Sequence, residues 1–313
     1  MAHELRLPAE AKERGLSVLV PLLNAAEGRD EVRVDFQEVR FYHPASIVVL
    51  LARLRQWGKD GKQLYGCHFN KCPARDYLKR MDFFDQLGLQ LDEPFQRHNA
   101  AGRFVSIRKI TSGHGIDRIA REVASCMARE STDVLECLSY AIGEIITNVA
   151  QHSQGEGFLC AQRYPATGVV RVAVADNGIG LRRSFDGTPL EQELHSPLDA
   201  LQKAMEPKVS AALLRPPTGP YAQPVNRGVG LSMVDELVRQ TYGRMQVITE
   251  DAVYTRIGDT GARFQQNSGL TTPGVLVSIE MTIDEIVDYQ SIINDVRARI
   301  LPSGLDNWDE MFE

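Results

Sequence analysis

Residues 132–153, TDVLECLSYAIGEIITNVAQHS, predict one long amphipathic helix. At 100° per residue, four of its apolar side chains fall within about 60° of one another. These four are Leu138, Ile142, Ile145 and Val149. Such a stripe is typical of a helix that buries one face against a core. The segment therefore predicts a packed domain built around it.

A second, polar stripe lies roughly 100° away on the same helix. It consists of Glu144, Asn148 and His152, each four residues from the next. An amide oxygen suits Mg²⁺, which takes few protein ligands and completes its shell with water and phosphate. A carboxylate one turn away can accept a proton from a water or hydroxyl that attacks a phosphate. The alternative is a solvated helix face without chemistry, and the helix alone does not decide between the two.

Two glycine-rich segments follow this helix. Residues 169–181, VVRVAVADNGIGL, predict a strand that ends at Asp176. An aspartate there can accept the exocyclic N–H of adenine, and glycines let the backbone approach a ligand, although Asp-Asn-Gly is also a common turn. Residues 226–238, NRGVGLSMVDELV, place Gly228 and Gly230 before an apolar helix, whose first N–H groups suit phosphate. Neither segment is a Walker loop or a Rossmann fingerprint.

Together these segments resemble a known ATP-binding domain. GEIITNVAQHS (143–153), DNGIGL (176–181) and RGVGL (227–231) resemble, in this order, the motifs of the GHKL superfamily, which includes sensor histidine kinases, DNA gyrase and mismatch-repair ATPases. The resemblance covers roughly residues 111–283. It implies a two-layer α/β sandwich of the histidine kinase-like ATPase type, with a lid at about 182–227.

The same resemblance implies ATP and Mg²⁺ as ligands and assigns roles to single residues. Asn148 is expected to ligate Mg²⁺, Glu144 to act as the general base, and Asp176 to bind adenine. The remaining nucleotide contacts that it implies are His152, Gly178, Gly180, Arg227, Gly228, Gly230 and Leu231.

One position departs from the family's pattern. The last strand of the family's domain often begins Gly-Thr, and the threonine assists adenine recognition. Here Gly274 is followed by Val275. Thr271 or Thr272 is the expected substitute.

The N-terminal part predicts a separate small α/β unit over residues 16–95. A strand at 32–36 is followed by a helix from Pro44, a short strand and a second helix after Pro73. This order of elements indicates a small α/β sandwich. It resembles the STAS domain, the fold of anti-sigma-factor antagonists.

In phosphorylated STAS domains a serine begins the helix after the second strand. Ala45 occupies that position here, and Ser46 stands where glycine is usual. The unit is therefore expected to serve as an interaction or dimerisation module. The other expected divisions are an N-terminal extension (1–15), a linker or connecting strand (96–110), and a C-terminal helix with an acidic tail (284–313).

Composition excludes several classes of protein. The 313 residues are 43% hydrophobic and 24% charged, which is ordinary for a globular chain. We find no run of about 20 apolar residues and no secretory signal, and we expect a cytoplasmic protein with no membrane partner. The net charge of −6 gives no strong sign of nucleic-acid binding. Cys67, His68 and Cys72 lack the spacing of a structural zinc site and include adjacent residues, so we interpret them as ordinary side chains.

Three functions remain open. The first is an ATP-driven conformational switch that hydrolyses ATP slowly and signals to a protein partner through the STAS-like unit; a homodimer is one form that this switch can take. The second is a serine or histidine protein kinase of the anti-sigma-factor type. The third is a non-hydrolysing ATP-binding module. A base at Glu144 disfavours the third, because it is needed only if a group is deprotonated.

Overall fold

The computed structural model describes residues 2–12, 15–97, 100–110, 115–128, 130–214 and 230–300. Over these residues the chain is a mixed α/β protein. Two small parallel sheets of three and two strands accompany a seven-stranded antiparallel sheet that packs against helices. None of the helices in the described ranges has both the length and the apolar character that a membrane span requires.

The N-terminal part contains five short strands and four helices. Their bounds are β1 His3–Arg6, β2 Glu10–Ala11, α1 Leu16–Ala25, β3 Glu31–Asp35, β4 Phe41–Tyr42, α2 Pro44–Lys59, β5 Gln63–Cys67, α3 Arg75–Arg80 and α4 Phe83–Gln86. Strands β1, β3 and β5 form the three-stranded parallel sheet, and β2 pairs with β4. The predicted strand at 32–36 and the helix from Pro44 are confirmed.

The larger part contains the seven-stranded sheet. Its elements are β6 Phe104–Ile110, α5 Ile116–Ala128, α6 Thr132–His152, β7 Gly157–Tyr164, β8 Val169–Asp176, α7 Gly180–Ser184, α8 Pro197–Ala204, α9 Ala211–Leu214, α10 Gly230–Gln240, β9 Arg244–Glu250, β10 Ala252–Ile257, β11 Ala262–Gln266, β12 Thr272–Thr282 and α11 Tyr289–Ile300. The strand order is β11-β10-β9-β12-β8-β7-β6, with every neighbour antiparallel.

One face of this sheet packs against α5, α6, α10 and α11 in a single core. The four side chains of the predicted stripe on α6 are all buried there, as the sequence predicted. Side chains of a strand point alternately to the two faces of a sheet. Leu159 and Ala161 of β7 accordingly lie on the α6 face, whereas Phe158 and Cys160 lie on the other.

The opposite face of the sheet is covered by α2 of the N-terminal part. On this face β8 presents Ala173 and Ala175, whose small side chains let the helix approach closely. On its other side α2 packs toward the three-stranded sheet, where Val32 and Val34 join the same core. Every residue of α2 from Ser46 to Leu54 is buried. The large sheet therefore has helices of its own part of the chain on one face and α2 of the N-terminal part on the other.

Two segments differ from the sequence-based expectation. Residues 3–6, expected as part of an extension, form β1, which pairs in parallel with β3 through Leu5 and Val34. After α10, where the sequence predicts three strands, the chain forms four. The additional hairpin, β10–β11, has an exposed edge strand with little apolar alternation, so the pattern that identifies half-buried strands is weak there.

Candidate functional site

A pocket lies where α6, the end of β8 and the start of α10 meet. Six of the predicted site residues line it: Asn148, His152, Asp176, Gly180, Gly230 and Leu231. Apolar side chains of the neighbouring elements, including Ile145, Val149 and Val277, complete the lining. Segments far apart in the sequence therefore converge on one cavity.

The remaining four predicted residues are placed differently. Gly178 is not a lining residue, but it donates its backbone N–H to Asp176, which is one. Glu144 lies against Gly230, so that a Cβ at position 230 would overlap the Glu144 carboxylate. Arg227 and Gly228 lie outside the residues that the structure describes.

Asp176 is a buried side chain of the pocket, held by three hydrogen bonds. It is 3% exposed. Its Oδ1 accepts hydrogen bonds from the Ser153 hydroxyl at 2.8 Å and the Gly178 N–H at 2.8 Å, and its Oδ2 accepts the Val275 N–H at 3.2 Å. Burial raises the pKa of Asp176 to about 6, and these three donors oppose that rise. A carboxylate offers about four acceptor sites, so about one site on Oδ2 is left for another donor.

Glycines make this arrangement possible. A Cβ on Gly178 would overlap the Ser153 carbonyl, and a Cβ on Gly274 would overlap the Asp176 carboxylate. Gly180 adopts φ +75°, a left-handed conformation that side chains disfavour. The next residue, Leu181, donates its N–H to the Thr249 hydroxyl at 3.0 Å, which fixes the start of α7. The glycines of this loop are thus required by close backbone packing.

The departure at Val275 has a structural consequence that the sequence did not predict. The Val275 backbone N–H reaches Asp176, so this contact needs no side chain. The hydroxyls of Thr271 and Thr272 bond instead to backbone carbonyls of Ser268, Ile248 and Gly274. Neither threonine bonds to Asp176.

Ser153 is the residue of this site that sequence reasoning missed. It ends α6 directly after His152, and its hydroxyl donates to Asp176 while accepting the Gly155 N–H at 3.1 Å. A serine at a helix end usually indicates only a cap or a turn. The position of Ser153 at the end of the predicted helix therefore indicated a cap or turn residue and not a contact with Asp176.

Glu144 is half-buried on the side of α6 that faces the start of α10. Burial raises the pKa of Glu144 to about 7, and the Tyr140 hydroxyl partly opposes the rise. A carboxyl group with a pKa near the working pH is suited to exchange protons with a substrate. His152, one turn beyond Asn148, is also half-buried and lines the pocket.

The described part of the predicted lid covers the pocket. Residues 180–214 form three short helices, α7 to α9, around a small core of their own. Ser184, Phe185, Ala204 and residues 209–211 face the cavity. The remaining interior measures only about 60 Å³, well below the roughly 300–1,000 Å³ of ligand pockets.

An ion cluster joins this site to the N-terminal part. Glu156, in the turn between α6 and β7, is 12% exposed and pairs with Arg55 of α2 through two contacts of 2.8 and 3.2 Å. Lys59 lies at 3.3 Å and Lys109 at 2.6 Å. Arg55 above all, with Lys109, lowers the pKa of Glu156 to about 2 against the effect of burial. The backbone of Glu156 also bonds to Asn177, the neighbour of Asp176.

Comparison of the chain with protein-family models, with curated proteins and with solved structures gave no match.

Proposed function

We propose that this protein binds MgATP in the pocket between α6, β8 and α10 and hydrolyses it slowly as a conformational switch. In this proposal residues 111–283 are a GHKL-type domain and residues 16–95 a STAS-like unit. The observation that carries the proposal is the buried Asp176 carboxylate. It lies at the end of β8 with about one acceptor site left, in the same cavity as Asn148 and the start of α10.

The residues present fit such a ligand. Asp176 would accept the exocyclic N–H of adenine, and Asn148 would ligate Mg²⁺ through its amide oxygen. The first N–H groups of α10, an 11-residue helix that begins at Gly230, suit a phosphate. When bound, Mg²⁺ would neutralise charge on the phosphate oxygens. Because the cavity is about 60 Å³, ATP entry requires α8 and α9 to move outward.

Glu144 is the proposed base. With a pKa of about 7, it is substantially ionised at neutral pH and can accept a proton from an attacking water. The same carboxylate serves a protein hydroxyl equally well, so a kinase activity toward a partner protein remains the alternative outcome of the experiment below.

The Glu156 cluster supports a regulatory role. Any displacement of residues 153–157 on ATP binding would act on Arg55 and Lys59 of α2. Since α2 is buried between two sheets, a protein partner would contact other surfaces of the N-terminal unit.

The test measures binding and turnover on the full chain. Calorimetry with ATP, with and without Mg²⁺, compares the wild type with Asn148→Ala and with a control, Gln151→Ala, on an exposed position of the same helix. We expect Mg²⁺-dependent binding in the wild type and the control, and loss of the Mg²⁺ dependence in Asn148→Ala. Absence of ATP binding at millimolar concentration, or an unchanged Mg²⁺ dependence in Asn148→Ala, would contradict the proposal.

Turnover is followed with γ-labelled ATP, counting free phosphate and protein-bound label separately. Release of free phosphate by the wild type supports hydrolysis. Label that appears only on an added partner protein supports the kinase alternative. Binding without either product supports the non-hydrolysing module.

A further inference from the structure

Three different metal-ligating side chains meet at the carboxyl end of the three-stranded sheet, in the N-terminal part of the chain. Asp35 ends β3 and Cys67 ends β5, and the two residues are direct partners in the parallel ladder. Partners in a parallel ladder project their side chains from the same face, on strands about 4.8 Å apart. The pairing of the two strands therefore places the Asp35 carboxylate beside the Cys67 thiol. The Asp35 side chain is 3% exposed.

His68 completes the group because of its backbone conformation. In an extended chain, adjacent residues point to opposite faces, so Cys67 and His68 would diverge. His68 instead has φ 60° and ψ 27°, in the left-handed region that is rare outside glycine. This turn brings its ring back to the side of Cys67 and Asp35. Cys67 and His68 can therefore face the same ion although they are adjacent in sequence.

The three donor atoms converge on one point. His68 Nδ1 lies 2.9 Å from Asp35 Oδ1 and 3.7 Å from Cys67 Sγ, and all three ligand atoms lie within 4.8 Å of one another. In a tetrahedral zinc site with ordinary bond lengths, the nitrogen–oxygen separation is about 3.3 Å and the nitrogen–sulfur separation about 3.6 Å. The observed separations differ from these by a few tenths of an ångström.

The same distances argue against a catalytic relay. A cysteine–histidine–aspartate relay uses the two ring nitrogens of histidine for its two partners. Here the single nitrogen Nδ1 faces both the carboxylate and the thiol. One nitrogen facing two acceptor ligands fits a shared cation better than a relay.

We propose that Asp35, Cys67 and His68 form a site for a divalent transition-metal ion of the zinc type, with solvent as the fourth ligand. Thiolate, imidazole and carboxylate are the ligands that zinc takes in proteins. Binding would release the thiol proton of Cys67 to solvent and move the proton of His68 Nδ1 to Nε2, so that two metal bonds replace the Asp35–His68 hydrogen bond. The exposed ring of His68 leaves the fourth position open to water.

Two nearby features define the limits of the site. Arg6 Nε lies 3.9 Å from Asp35 Oδ2, and its charge opposes a cation, although its side chain is 68% exposed and also contacts Glu4. Cys72, also in the N-terminal part, is buried elsewhere and its thiol contacts the Val39 carbonyl at 3.6 Å. Cys72 is therefore outside the site and provides a matched control.

The experiment is a Co²⁺ titration of the untagged full chain under reducing conditions. Tetrahedral Co²⁺ bound to a thiolate gives a charge-transfer absorption band that reports the sulfur ligand directly. We expect one equivalent of Co²⁺ to develop this band and one equivalent of Zn²⁺ to abolish it. Cys67→Ser is expected to remove the band and weaken Zn²⁺ at least tenfold, whereas Cys72→Ser keeps both.

His68→Asn supplies an independent variant, because asparagine tolerates the left-handed backbone while it removes the imidazole. We expect at least tenfold weaker Zn²⁺ binding with unchanged circular dichroism. The proposal is overturned if the wild type develops no band at one equivalent, if the band persists in Cys67→Ser, or if Cys72→Ser removes it. It stands independently of the proposed ATP site.

Discussion

Replacing Glu144 by glutamine removes a carboxyl group whose ionisation the fold opposes. Burial raises the pKa of Glu144 from 4.5 to about 7. Because the folded pKa lies above the unfolded one, this group's contribution to stability is complete below about pH 4.5 and is lost as the pH rises through 7. The difference between the two pKa values corresponds to about 3 kcal/mol. Glutamine keeps the size of the protonated side chain and does not ionise.

The assay is urea unfolding, followed by tryptophan fluorescence, at pH 5 and pH 8. From pH 5 to pH 8 we expect the free energy of unfolding of Glu144→Gln to rise by about 2–3 kcal/mol relative to that of the wild type. Other titrating groups, Asp176 included, are present in both proteins and cancel. Glu136→Gln is the control, since Glu136 lies on the same helix in a surface ion pair with Arg121.

The reasoning is refuted if the difference in the free energy of unfolding between Glu144→Gln and the wild type is the same at pH 5 and pH 8. Ionisation of Glu144 would then cost the fold nothing. The same conclusion follows if Glu136→Gln shows an equal pH dependence. If the proposed ATPase role is correct, Glu144→Gln also binds ATP without releasing phosphate.

Three further substitutions, with Gly143→Ala as a control, test the site and the ion cluster beside it. Asp176→Asn places an amide N–H against a backbone donor, so we expect about 1–3 kcal/mol lower stability in urea unfolding and weaker ATP binding in calorimetry; an unchanged unfolding curve would contradict the hydrogen-bond assignment. Gly230→Ala is expected to displace the Glu144 carboxylate and abolish phosphate release while the fold remains. In the control Gly143→Ala the new Cβ would meet its nearest neighbour at 3.8 Å, so this variant should be more stable by about 0.5–1 kcal/mol. Equal phosphate release by both variants would contradict the prediction. Glu156→Gln is expected to lower the free energy of unfolding by about 1–3 kcal/mol at pH 7. The difference from the wild type should shrink as the pH falls toward 2, because a carboxylate with a lowered pKa contributes stability that acid removes. A loss of stability that persists in acid would exclude this ion cluster as the cause.

Much of the architecture could be predicted because it follows from local patterns. Period-3.6 apolar spacing predicted α6, and an apolar run ending at Asp176 predicted β8. The structure confirms these elements. The sequence also identified Asp176 and Gly230, which line one pocket although 54 positions separate them. That grouping came from a resemblance, since periodicity alone does not bring such residues together.

What could not be predicted depends on contacts between distant segments. Arg55 and Glu156 are 101 positions apart, and each reads as an ordinary surface charge in its own segment. The role of Ser153 depends on where β8 ends in space. The group around Cys67 depends on the ladder register of β3 and on the backbone turn at His68, and neither feature follows from residue spacing.

The position of α2 between two sheets has a consequence for dissecting this chain. A fragment of residues 100–300 would present the side chains of Phe158, Cys160 and Ala173 to water, and a fragment of residues 2–97 would present the matching face of α2. Exposed apolar surfaces of this kind promote aggregation. Truncation is therefore a poor route to isolated modules, whereas co-expression of the two fragments is expected to restore a soluble complex by complementation.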